Sequence, residues 1–182
     1  AYLTNIKTDL QLAILELEEF IANRDSQIES AIIIVNHFNG KPVNDWNTFN
    51  KHIVSIYTWQ RFYLVDNTHQ ELKNSGNFAI ISNDSIKNSL LNLDLLYKKL
   101  KYKEDHWRYD AEQTLHPGQY EKADINSISN NYLYQLTDGQ QGELGNLSKE
   151  TFGNMLDDQK QKNGFAFAVF NFKGMKVSLN QM

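Results

Sequence analysis

The chain contains no cysteine, only two prolines and only nine glycines in 182 residues. Without cysteine there can be no disulfide and no thiolate metal site. So little proline and glycine argues against a turn-rich all-β fold, which needs that punctuation between strands. Long apolar runs are also missing. The longest, Ala31 to Val35 and Phe165 to Phe170, fall far short of the roughly 20 residues that span a bilayer. No signal-peptide pattern opens the sequence. Excess positive charge is absent too. The net charge of -4 gives no reason to expect nucleic acid or an anionic lipid surface as a partner.

What is present is apolar spacing. Apolar residues make up 41% and aromatics 12%, enough for a packed core in one domain spanning 1–182. From Tyr2 to Phe38, the residues Leu3, Ile6, Leu10, Ala13, Leu17, Phe20, Arg24, Ile28, Ile32 and Val35 recur at steps of three and four. This is helical spacing, and Arg24 alone breaks the apolar stripe. A helix of that length reaches about 50 Å and must lie along partners. Asn39-Gly40-Lys41-Pro42 ends it. A second helix starts at Asn44 or Asp45 and carries Trp46, Phe49, Ile53, Ile56, Trp59 and Tyr63. A shorter one runs through Leu72 to a glycine stop at Gly76. Ser82, Asn83 or Asp84 caps a further long helix through Ile86, Leu90, Leu93, Tyr97, Leu100, Glu104, Trp107 and Ala111, which ends before His116-Pro117-Gly118. Lys98, Lys99, Lys101 and Lys103 lie mostly off its apolar stripe and read as a solvated face.

The region near 118–147 is polar and reads as an irregular loop, with Ile125, Ile128, Tyr132 and Leu136 favouring a short helix inside it. Ser148 is placed to cap a helix containing Phe152, Met155 and Leu156. Phe165-Ala166-Phe167-Ala168-Val169-Phe170-Asn171-Phe172 alternates large and small like a strand. A buried helix closing a four-helix-like antiparallel bundle is the more economical reading. The expected fold is therefore all-α.

Chemistry is harder to find. A di-iron carboxylate bundle needs Glu-x-x-His pairs, and none occurs. The nearest patterns are Asp66-x-x-His69 and Glu112-x-x-x-His116, and isolated carboxylate–histidine neighbours of this kind are common on surfaces. No metal ligand, cofactor or catalytic residue is assigned. Glu16, Glu18, Glu19, Asp25 and Glu29 fall off the apolar stripe, as a solvated face does. No serine sits in a nucleophile elbow, and Gly139-x-x-Gly142-x-x-Gly145 lacks the strand and the Lys-Ser/Thr ending of a phosphate loop. Aromatics at helical spacing are more often core than pocket. The unusual side chains are Arg24 on an apolar stripe and Arg61 among aromatics. With Trp59 they are the candidate ligand-binding residues, the bland reading being that a buried arginine pairs with an internal acid.

The segments Tyr2-Leu3-Thr4-Asn5-Ile6-Lys7-Thr8-Asp9-Leu10 and Leu72-Lys73-Asn74-Ser75-Gly76-Asn77-Phe78-Ala79-Ile80-Ile81-Ser82-Asn83, followed by Ile86 and Tyr97, resemble a domain-of-unknown-function family of flavobacterial-type membrane proteins. Members of that family resemble one another in a short basic N-terminus, one transmembrane helix and a helical domain beyond it. The resemblance covers about residues 2 to 100 and rests on spacing and caps. It implies that this chain is the domain beyond the anchor, held at the cell membrane by an N-terminal helix upstream of Ala1 and, by the positive-inside rule, periplasmic. It transfers no activity. The expected function is a non-enzymatic, membrane-tethered interaction or sensing module with an unidentified protein or small-molecule partner. The alternatives are a small-ligand or metal-binding bundle, with or without catalysis, and a structural oligomerisation domain.

Overall fold

A computed structural model describes residues 2–136 and 145–182. The fold is all-α, with no strand among the described residues. Three long helices dominate: α1 (Tyr2–Phe38), α4 (Asp84–Thr114) and α7 (Gln159–Gln181). The shorter helices are α2 (Trp46–Tyr57), α3 (Asn67–Asn74), α5 (His116–Lys122) and α6 (Ile125–Leu136).

α7 packs against both α1 and α4 and runs antiparallel to each. The ring of Phe38 on α1 lies 5.8 Å from that of Phe165 on α7, while further along Lys176 of α7 pairs with Asp25 of α1. On the other side, Gly164 faces Leu115 at the end of α4, Trp107 stacks edge-on with Phe172 at 5.0 Å, and Lys103 donates to Ser178 Oγ at 2.8 Å. α1 and α4 are consequently parallel to each other. The fourth position of the bundle is shared by α2 and α3, which lie along α1. The run 165–172 is helical: Phe165, Ala168 and Phe172 face inward, while Phe167 and Phe170 are exposed. The absence of a glycine Cβ at Gly164 permits the close approach of α4 and α7. A Cβ there would lie 2.5 Å from Leu115 Cδ2.

Local signals account for the ends. Asp45 caps α2 by accepting from Asn47 N at 2.9 Å, and Asn83 caps α4 by accepting from Ile86 N at 3.1 Å. Gly76 follows α3 with φ 73, the left-handed conformation that stops a helix. Ser148 caps a 3₁₀ turn, Lys149–Phe152, through a capping box.

The second aromatic segment departs from its spacing. α2 stops at Tyr57, and 58–66 crosses as irregular chain, so Trp59 and Tyr63 leave the helical face and become exposed. The polar region is also more ordered than a loop: α5 and α6 occupy most of 116–136, and residues 137–144, including Gly139 and Gly142, lie outside the described residues. Its asparagines act as pins. Buried Asn50 on α2 donates to the Ile128 carbonyl and to Asn131 Oδ1, both at 3.1 Å, and Asn131 in turn donates to Asn47 Oδ1 and the Gly145 carbonyl. Lys101 and Lys103 are half-buried and bonded rather than purely solvated.

The irregular crossing 58–66 is fixed by buried polar groups from both long helices. Arg24 of α1 donates to Gln27 Oε1 and to the Gln60 carbonyl (2.8 Å), and Gln27 donates to the carbonyls of Ser55 and Thr58. Glu104 of α4 accepts from Phe62 N at 2.9 Å, while Lys101 donates to the Phe62 carbonyl at 2.6 Å and to Glu104 Oε2 at 3.2 Å. Arg24 and Glu104 face each other at 3.9 Å, both buried. Burial pushes the guanidinium down to about 10 against the opposing pull of Glu104. Removing one charge leaves the other buried and uncompensated, so Glu104→Ala is expected to cost about 3–5 kcal/mol. In urea unfolding, the double variant Arg24→Met/Glu104→Leu should recover a substantial part of that loss.

Candidate functional site

Past the end of α7, α1 and α4 continue without it. The space between them is an apolar groove of about 410 Å³. Its first wall is the α1 face carrying Ile6, Leu10, Ala13 and Leu17, at steps of four, three and four. Its second wall is the α4 face of Ile86, Leu90 and Leu93, with Ser85 and Ser89 as the polar groups. Phe62 and Leu64, from the crossing segment, also line it, and Met182 closes the end nearest α7. No charged side chain borders the groove. It is therefore the continuation of the seat that α7 occupies further along the same two helices. The wall from Ile6 to Leu17 is about 17 Å long, three helical turns at roughly 1.5 Å per residue. Ile14 is 53% exposed and Ile86 40% at the groove, and Leu12, Leu15, Leu91 and Leu95 add exposed apolar surface on the same halves of α1 and α4.

A smaller cleft of about 240 Å³ lies between the end of α1 and the start of α2, lined by His37 and His52 among others. Both histidines are engaged: His37 Nδ1 lies 3.1 Å from the Lys41 carbonyl, and His52 Nδ1 lies 3.0 Å from Ser30 Oγ. Beside the groove, α3 and α4 bring together Asp66, His69 and Asp94, whose potential metal-binding atoms lie within 4.8 Å of one another.

The three candidate binding residues do not form one site. Arg24 is consumed inside the bundle by Gln27, Gln60 and Glu104, with the rings of Phe20 and Phe172 at 4.9 and 5.5 Å, and borders neither the groove nor the cleft. Trp59, 44% exposed, lies between the guanidiniums of Arg61 (4.9 Å) and Arg108 (5.5 Å). Arg61 pairs with Asp105 on α4. Trp59 and Arg61 thus share a surface, and Arg24 is remote from it in role. The groove residues were legible as one apolar stripe on each of two helices. That the two stripes face each other across a groove depends on the tertiary packing of α1 against α4. Asp94 has no local signature at all, being brought to Asp66 and His69 by folding. The acidic residues Glu16, Glu18, Glu19, Asp25 and Glu29 are all exposed, as a solvated face requires.

No protein-family model matches the chain, and neither a curated protein nor a solved structure is found to be similar to it. No helix among the described residues is long and apolar enough to cross a membrane.

The cleft histidine gives a pH dependence with a definite sign. Burial lowers the affinity of His52 for its proton, opposed by Glu29 and reinforced by Lys51. The unfolded chain then binds more protons than the folded one below the ordinary histidine range, so stability falls as pH drops through about 6.5. Chemical denaturation at pH 7.5 and 5.5 should show a larger loss for the parent chain than for His52→Gln.

Proposed function

We propose that this protein is a non-enzymatic interaction module whose working surface is the groove between α1 and α4, and that its occupant is the apolar face of an amphipathic helix from a partner protein. The observation that carries this reading is continuity. The groove prolongs a helix seat that the chain already fills with α7, between the same two walls, and its own lining is apolar. An incoming helix of about three turns, with large aliphatic residues at i, i+3 or i+4 and i+7, would stack end to end with α7 and bury the faces left open. The lack of charge in the lining fits an apolar face, and the few polar groups leave no constellation for acid–base or nucleophilic chemistry there.

Binding is measurable with a labelled, uncharged 14-residue Leu/Ala/Gln amphipathic peptide by fluorescence anisotropy. Saturable binding is expected, with Ile14→Glu and Ile86→Glu each weakening it at least about tenfold through the buried charge. Both positions are exposed, so the fold should persist by circular dichroism. Equal binding by parent and variants would sink the proposal. Uptake of the apolar fluorophore N-phenyl-1-naphthylamine without peptide binding would replace the helix by a small aliphatic ligand. Concentration-dependent dimerisation in light scattering, abolished by the same variants, would replace the partner by a second copy.

The resemblance to membrane-anchored proteins supports a further part of the reading, that the module is tethered outside the cytoplasm. In that arrangement α1 follows the anchor and the groove faces the membrane-proximal zone. An alkaline phosphatase fusion to the C-terminus of the complete gene product is expected to be active in cells, and an inactive, stably expressed fusion would refute that placement.

A further inference from the structure

We propose that Asp66, His69 and Asp94 form a binding site for a divalent first-row transition cation of the Zn²⁺ type, independent of what the groove holds. Asp66 immediately precedes α3, His69 stands in its first turns, and Asp94 reaches them from α4. His69 Nδ1 lies 3.9 Å from Asp66 Oδ2 and 3.7 Å from Asp94 Oδ1. These separations are too long for hydrogen bonds. They are close to what a shared ion requires. Donors around a tetrahedral Zn²⁺, at roughly 2.0–2.2 Å from the metal, lie about 3.3 Å apart, and the three donors here lie within 4.8 Å of one another, so a contraction of about 1.5 Å at most would complete the set.

The second observation is the state of His69. It is 2% exposed, and neither Nδ1 nor Nε2 has a hydrogen-bond partner. A buried imidazole with both nitrogens unbonded is costly, because neither polar atom regains the hydrogen bond it had to water. A cation between the ring and the carboxylates would take up the Nδ1 lone pair and set the tautomer. Both carboxylates are also held in place. Lys73 pairs with Asp94 Oδ2, leaving Oδ1 turned toward His69, and Gln70 Nε2 donates at 2.6 Å to Asp66 Oδ2, the oxygen that itself faces His69. Outer partners of this kind fix the orientation of metal-binding groups. A void of about 10 Å³, near the size that admits one water, borders Asp66 and His69 and offers room for a further ligand. Imidazole nitrogen in the set, with only two carboxylates, favours Zn²⁺ or Co²⁺ over Ca²⁺ or Mg²⁺, which take mainly oxygen.

The test is titration of chelator-treated protein with ZnCl₂ by calorimetry and with CoCl₂ by visible absorption. One equivalent should bind at micromolar or tighter affinity, with a Co²⁺ spectrum of low coordination number. Asp94→Asn and His69→Gln, checked for folding by circular dichroism, should each lose at least about 10–100-fold in affinity. Because substitution of a buried histidine can itself unfold the chain, the unaltered protein is read as well. Zn²⁺ should shift the ring ¹⁵N resonances of His69 to those of a metal-bound neutral imidazole. Absence of saturable binding, undiminished binding in Asp94→Asn, or His69 ring ¹⁵N resonances that do not move in excess Zn²⁺ would each overturn the proposal.

Discussion

The bundle depends on two opposite charges placed where apolar residues are expected. Arg24 interrupts the stripe of α1 and Glu104 interrupts that of α4, and they meet across the interior at 3.9 Å. Their energetic value as a pair is not the main point, since buried ion pairs seldom outperform well-packed apolar substitutes. Their use lies in what else they hold. Chain 58–66 has no regular hydrogen bonding of its own, and its buried peptide groups need partners. Arg24 and Gln27 bind carbonyls on one side of it, while Glu104 and Lys101 take a peptide N–H and a carbonyl on the other. The two helices are thereby set at a spacing that admits Phe62, whose ring meets Phe20 and Tyr97.

The long helices were legible because each repeats its apolar spacing over many turns and ends on a recognisable cap or stop. α1 spans Tyr2–Phe38, and Asn83 and Gly76 perform the roles their residue types suggest. The irregular crossing was not legible, for a physical reason. Trp59 and Tyr63 keep helical spacing with Ile53 and Ile56, but the backbone there is bonded by side chains far away in sequence. Local periodicity cannot register that competition. The same holds for α5, which reads as loop, whereas α6 was legible from the spacing of Ile125, Ile128, Tyr132 and Leu136; what the spacing could not show is that Asn131 on it pairs with Asn50 inside the fold. One signal was present in the sequence, though. A positive charge on one apolar stripe and a negative charge on another are complementary defects, and Arg24 with Glu104 could have been matched on that basis.

The candidate groove has a simpler origin. α1 and α4 are longer than the helix between them. α7 lies in their common seat through Gln181, and the groove lined by the early turns of α1 and α4 adjoins it at Met182. The metal-type cluster stands at the back of the same walls, since Ile6, Leu10, Leu90 and Leu93 border both the groove and the small void beside His69. The two features are thus neighbours built on one pair of helices. The arginine–tryptophan surface of Trp59, Arg61 and Arg108 is separate from them and is explained by mutual packing and by Asp105.

The unequal lengths of the helices also grade the molecule along its axis. Where α7 is present, each long helix is packed from several sides by the main core. Beyond Met182 the early turns of α1 and α4 are joined mainly through Ile6, Leu72, Ile81 and Leu90, a cluster much smaller than the main core. That end forms a separate, cheaper unit of local unfolding. Among the described residues the packing is thus graded along the axis, dense where three long helices meet and sparse where two do.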